Sequence, residues 1–323
     1  MLRLLQSIFG SERQGTYPES LVREAIERTV EGTDPWLRGV SGYRKKLRPA
    51  VLAAIDHVVT LVDSLPPPIP LSLSSFIDDR LLKSMFISSR DMSQILSGDR
   101  SLAEFRREEA GDASRVVALL AMEKQERVAF GAGLSGEIVV RDMPIVTVSF
   151  EGHRFLDPTG DEAETRRLLK RRAFDHLLGL GLKRLGDVKS ERRELERRRA
   201  LLQAKLNLLE REGWGFDTLR TTEGGAGVDV ERQLGEIEQQ LLELGGDDRM
   251  LDLYLEIVAQ LLGSPKEQLW MQPETVYIDR MGVKRQEAAD DATEITLSML
   301  YNAAGRSQAV MLVSLKSEEL REL

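Results

Sequence analysis

The chain has 323 residues, 41% of them hydrophobic and 30% charged, with a formal net charge of −8. Such a composition belongs to a globular protein long enough for two domains or one body with a large insertion, and its acidic balance argues against general affinity for nucleic acid or anionic membrane. It contains no cysteine, which excludes disulfides, thiolate metal sites and cysteine nucleophiles.

At the amino end, MLRLLQSIFG places Leu2, Leu5 and Phe9 on one helical face. The stretch is too short for a secretory apolar core, so it reads as a helix docked on the body or as an anchor to a membrane or partner. No apolar run approaches the ~20 residues that span a bilayer, and a cytoplasmic location is expected.

Residues 17–110 read as mostly helical. Leu21, Ala25, Ile26 and Val30 recur at helical spacing, and Leu47, Val51, Ile55, Val58, Val59 and Val62 form a broader apolar face. LPPPIP (Leu65–Pro70) ends that helix and reads as a stiff connector or as a ligand for a proline-recognising domain. Three short helices are expected near 75–85, 89–96 and 101–109, with Ser89, Asp91 and Ser101 as starting caps. A further helix is expected over 113–125.

The period then changes to two. Ile138 and Val140, then Val146, Val148 and Phe150, alternate with their neighbours, so residues 127–156 read as two or three strands with Pro144 at an edge or strand start. A second β block lies at the carboxyl end. There Val276 and Ile278 lead into a turn at 279–282, and Ile295, Leu297, Met299 and Tyr301 alternate before the chain returns through Val310 and Leu312. Short connections make these strands antiparallel, and neither block is large enough to stand alone. They are therefore expected to join in one sheet.

Between the two blocks lies a helical hairpin of opposite charges. Residues 165–200 hold thirteen Lys/Arg and five Asp/Glu, whereas 228–263 hold nine Asp/Glu and two Arg. Leu195, Arg199, Leu202, Leu206 and Leu209 on one arm, with Val230, Leu234, Ile237, Leu241 and Leu244 on the other, follow coiled-coil spacing. Folded antiparallel, Leu202 meets Ile237 and Leu195 meets Leu244. Arg192, Arg193 and Arg197 then come near Asp248, Asp247 and Glu243. Asp161 with Glu164, or Thr159 with Glu162, offers a capping box at the start, and Gly179, Gly181 and Gly186 are places for an interruption or bend.

Overall the expectation is an α+β fold: a helical amino-terminal region (1–110), an α+β body with an antiparallel sheet (111–160 plus 264–323) and a coiled-coil helical hairpin (161–263). Three groups of residues stand out as candidate sites. Trp214, Phe216 and Leu219 lie among glycines in the hairpin's end loop, where they either staple the loop or form a partner-binding patch. Arg44, Lys45, Lys46 and Arg48 in GYRKKLRP, with Arg166, Arg167, Lys170, Arg171 and Arg172, either pair internally or bind phosphate or nucleic acid. The proximal arginines are expected to have few acidic partners.

His153, with Arg154 and Asp157 in SFEGHRFLD, reads as an ordinary polar β-turn or as a hydrolytic or phosphate site. His57 and His176 read as packed residues, and the pairs Asp78-Asp79 and Asp290-Asp291 as weak metal candidates. No phosphate loop, dinucleotide fingerprint or nucleophile elbow occurs, so no catalytic residue, cofactor or metal is assigned.

GYRKKLRP, RDMPIVTVSFEGHR and IDRMGVKR together resemble a family of uncharacterised bacterial proteins across most of the chain. The resemblance implies a bacterial cytoplasmic origin and carries no activity or site residues. The leading expectation is a non-catalytic interaction protein, an adaptor or assembly component with a protein partner. A nucleic-acid or phosphate-binding module is the alternative, an enzyme near His153 the third reading, and a homo-oligomer is compatible with the first.

Overall fold

The computed structural model describes residues 17–74, 76–77, 79–109, 114–135, 138–212, 224–245, 249–279, 282–285, 287 and 292–322, with the backbone alone described at 108–109, 131–135, 138–143, 209–212, 224–227 and 321–322. The amino-terminal Leu2/Leu5/Phe9 face, the Trp214/Phe216/Leu219 loop, Asp78, Asp247, Asp248 and Asp290-Asp291 lie outside the described residues.

The helical spacing of the first hundred residues becomes α1 (Glu19–Thr33), a 3-10 turn (Pro35–Gly39), α2 (Tyr43–Asp63), α3 (Arg80–Met85), α4 (Ser89–Gly98) and α5 (Arg100–Glu109). The caps fall earlier than expected. The Ser88 hydroxyl accepts from Asp91 N–H while the Asp91 carboxylate accepts from Ile87 N–H, and Asp99 accepts from Leu102 N–H. An N-cap must keep extended backbone, so Ser89 and Ser101 already belong to the helices.

The chain divides into two compact units, by a cut that runs through α2 and α6. Of the described residues, one unit comprises those in 56–174 and 266–322, the other those in 17–55 and 175–265.

The first unit is built on an antiparallel sheet that draws strands from both flanks of the hairpin, as expected. Its strands are β1 (Ile69–Pro70), β2 (Arg115–Ser135), β3 (Ile138–Thr159), β4 (Leu269–Asp279), β5 (Lys284–Arg285), β6 (Ala292–Asn302) and β7 (Ser307–Lys316). They lie in the order β3-β2-β7-β6-β4-β5. The sheet then closes on itself, because Thr147 of β3 bridges Val283 and Val148 N–H donates to Gly282 O.

The proline segment is more than a connector. Ile69–Pro70 pairs parallel with Val313–Ser314, on the stretch of β7 beyond its pairing with β6, and Leu71 N–H donates to Ser314 O.

The helix expected over 113–125 is a strand. Val116, Ala118, Leu120 and Met122 enter one core with α3, α4 and α5, whereas Leu119 and Ala121 enter another with Val62, Leu65 and Leu169. A strand covered on both faces reads as a continuous apolar run, which periodicity cannot separate from a buried helix.

β3 advances three residues against two of β2 at three bulges, two of which lie between Glu151 and Thr159. At one, Gly152 takes φ 64, a left-handed backbone that favours glycine; at the other, Asp157 takes φ 49.

The second unit is helical: α1, the 3-10 turn, the first half of α2, the distal part of α6 (Glu162–Glu212), α7 (Gly224–Glu243) and α8 (Met250–Gly263). Gly179, Gly181 and Gly186 do not interrupt α6. Gly32 matters for packing, since a Cβ there would lie 3.0 Å from Leu178 Cδ1, so a larger residue would push α1 off α6.

Leu195 of α6 packs with Ile237 and Leu241 of α7, and Leu202 and Leu244 join them. Arg192 donates to Gly245 O beyond the end of α7, and Lys205 acts electrostatically on Asp229 near its start, so the two helices run antiparallel. The fold is α+β, and no helix among the described residues is long and apolar enough to cross a membrane.

Candidate interaction surface

The basic cluster at the start of α2 is engaged within its own unit. Arg44 donates to Glu27, Lys46 pairs with Asp252 at 2.7 Å, and Arg48 with Glu19 at 2.6 Å. Burial would raise the Glu27 carboxyl, but hydrogen bonds from Tyr43, Arg44 and Arg38 outweigh it and hold the group below its ordinary value. Glu27 thus supplies the anion that four cations at a helix start call for. Lys45 is exposed and carries no ion pair among the described residues.

The proximal arginines of α6 depart from the expectation of few acidic partners. Arg166 binds Glu162 and the carbonyls of Val62 and Leu65, and Arg167 binds Glu164. Lys170 pairs with Asp63 at 2.8 Å, and Arg172 grips both oxygens of Asp157. Asp161 caps the helix by accepting from Glu164 N–H, but the expected box is not completed, since Asp161 N–H donates to Thr159 Oγ1 and the Glu164 carboxylate binds Arg167. Seven of the nine singled-out cations therefore have internal partners, leaving Lys45 and Arg171. These partners come from α2, a bulge in β3 and the first turn of α6 itself, not from the opposite arm of the hairpin.

The His153 group is not brought together. His153 sits inside β3 at the Gly152 bulge, where its Nε2 donates to Met85 O at 2.8 Å and its ring stacks on Phe86 at 4.8 Å. Burial pushes its pKa down. Arg154 is exposed, and Asp157 is held by Arg172. Among the described residues no three His, Asp or Glu side chains gather as metal ligands would.

What remains is the pair α6–α7. Arg192, which the sequence register placed near Asp248, is 8% exposed and lies in the seam, bonded to Glu196 and Gly245 O. Arg199, expected in the seam, is exposed. Glu243, expected beside Arg197, accepts instead from Gln239. Beyond Lys189, every ion pair along these helices among the described residues lies within a single helix: Arg192–Glu196, Arg198–Glu194, Arg232–Asp229 and Arg232–Glu236.

Each helix consequently presents an outward stripe of its own. On α6 the stripe runs through Arg193, Arg197, Leu201, Ala204 and Leu208, all exposed, with Leu201 at 64% and Leu208 at 60%. On α7 it runs through Val228, Glu231, Gly235, Glu238 and Leu242, with Val228 at 66% and Leu242 at 73%. Steps of three and four keep each set on one face. Arg193, Arg197, Glu231 and Glu238 make no ion pair among the described residues. The seam spacing does not include these stripes, but the seven-residue spacing of Leu201 and Leu208, and of Val228, Gly235 and Leu242, marks them in the sequence.

Comparison with protein-family models, with curated proteins and with solved structures finds no match to this chain.

Proposed function

We propose that the protein is a non-catalytic interaction protein, an adaptor or assembly component of the cytoplasm, whose α6–α7 pair acts as an antiparallel coiled coil that binds a macromolecular partner. One observation carries this reading. Among the described residues Arg193, Arg197, Glu231 and Glu238 make no ion pair and Leu201, Leu208, Val228 and Leu242 are exposed, whereas most cations of the other basic clusters are engaged by carboxylates or carbonyls. Exposed apolar side chains ringed by charge are the usual anatomy of a protein-binding face. The Trp214/Phe216/Leu219 segment lies between the same two helices in sequence. The nucleic-acid reading has less support, since a phosphate would have to displace existing ion pairs at seven of its nine residues.

The test is recovery of the tagged full-length chain from its host after mild crosslinking, with mass spectrometry of what accompanies it. A stoichiometric protein partner, lost on Leu201→Asp with Leu208→Asp or on Trp214→Ala with Phe216→Ala, is expected. Recovery of the chain alone, or with nuclease-sensitive material only, would overturn the proposal.

A further inference from the structure

The chemistry that the α6 stripe requires of a partner is present on α7 of the same sequence. The α6 stripe is basic at Arg193 and Arg197, and apolar at Leu201 and Leu208. Its complement is an amphipathic helix with acidic side chains between apolar ones. The outward stripe of α7 has that pattern: Val228 and Leu242 bracket Glu231 and Glu238.

Neither stripe satisfies the other within one chain, because the α6–α7 seam already occupies the faces that meet. Gly235 adds a separate observation. A glycine inside a helix costs about 1 kcal/mol relative to alanine, yet a Cβ at Gly235 would meet nothing among the described residues, so no contact there requires the gap.

We infer that the occupant is a second copy: the outward stripe of α6 in one molecule docks antiparallel on the outward stripe of α7 in another. In the register that satisfies both stripes, Leu208 lies against Val228, Leu201 enters the gap at Gly235, and Arg197 faces Glu238. Arg193 then lies beside Leu242 and Glu243. The contact is heterologous, since each copy offers one stripe of each kind and each contact leaves one of each unused. Association therefore grows with concentration beyond a pair unless a ring closes. It also weakens with salt, as exposed charge pairs do.

This inference rests on the reading of α6–α7 as an interaction surface, and its test separates the two. Sedimentation of the full-length chain across a wide concentration range should show reversible growth. Arg193→Glu with Arg197→Glu, and separately Glu231→Lys with Glu238→Lys, should each weaken it by about tenfold or more, because each turns the Arg197–Glu238 attraction into repulsion and reverses a second charge of its stripe. Both variants alter exposed side chains, and circular dichroism checks that each is folded.

Mixing the two variants is the decisive arm, since the unaltered basic α6 stripe of one then meets the unaltered acidic α7 stripe of the other. Restored association would support the contact. A wild-type chain that stays monomeric overturns the inference, as does association that both reversals leave unchanged or a mixture of folded variants that stays apart. If stripe-dependent partner capture persists alongside any of those results, only the second-copy inference falls. Loss of capture with intact self-association would instead remove the external partner.

Discussion

In the sheet unit, Lys124 lies between Glu274 and Glu126, and Lys284 donates to the same Glu126, so that two cations and two anions tie β2, β4 and β5 together. On α6 beyond Lys189 and along α7, the ion pairs among the described residues lie within a single helix, and Arg193, Arg197, Glu231 and Glu238 have none. The difference follows from geometry. A closed sheet brings long side chains from several strands to one place, whereas two helices packed through a narrow seam leave most of their circumference to solvent. The same residue types thus hold a fold together in one region and remain available to a partner in the other.

The largest test of that contrast concerns apolar side chains. Phe155 is fully buried in the sheet core, beside Phe86 and Leu120. Phe155→Ala should cost about 3–5 kcal/mol through lost transfer energy and an unfilled cavity. Leu201→Ala, at an exposed position, should stay within about 0.5 kcal/mol. Urea denaturation of the two variants measures both, and similar losses would break the distinction drawn here.

A smaller effect is expected from the charges of the sheet. Burial would lower the pKa of Lys124, but hydrogen bonds to Glu274 and Glu126 overcome it and raise the value. Lys284 and Lys124 together hold Glu126 below the ordinary carboxyl range. Lys124→Ala removes the cation shared by two part-buried carboxylates and should cost about 1–3 kcal/mol. Loss of stability comparable to an exposed surface substitution would show that these charges are as free as those of the helices.

The sequence was a good guide wherever one face of an element meets water. Leu195, Ile237 and Leu241 give the α6–α7 seam by spacing alone, and Ile295, Leu297 and Met299 give β6. It misled where an element is covered twice. Val116 to Met122 reads as a helix because both faces are apolar, and the ladder with β7 that makes it a strand comes from nearly two hundred residues away. The partners of the proximal arginines were hidden for a related reason. Asp63 lies far from Lys170 in sequence, and Asp157 reaches Arg172 only because β3 bulges there. Charge runs are legible as runs, but which of their members are engaged depends on tertiary contacts.

The smallest expected effect concerns pH, and it too divides the molecule. Burial lowers the pKa of His57, His153 and His176 from the ordinary 6.5, against the raising effect of the carbonyls of Leu269 for His57 and Met85 for His153. Because the folded values are depressed, the unfolded chain binds more protons as pH falls below about 6.5. Stability is therefore full above that value and declines as the pH drops toward the folded ones. His57 and His153 belong to the sheet unit, and both bond to backbone carbonyls there. His153→Phe keeps a ring on Phe86 while removing the titration, so it should flatten the acid limb of the stability profile. The charge-reversed α6 variant should leave that limb in place, since it retains all three histidines. Denaturation profiles between pH 5 and 8, in which the His153→Phe limb is as steep as that of the unaltered chain, would show that this histidine contributes nothing to the acid sensitivity of the sheet unit.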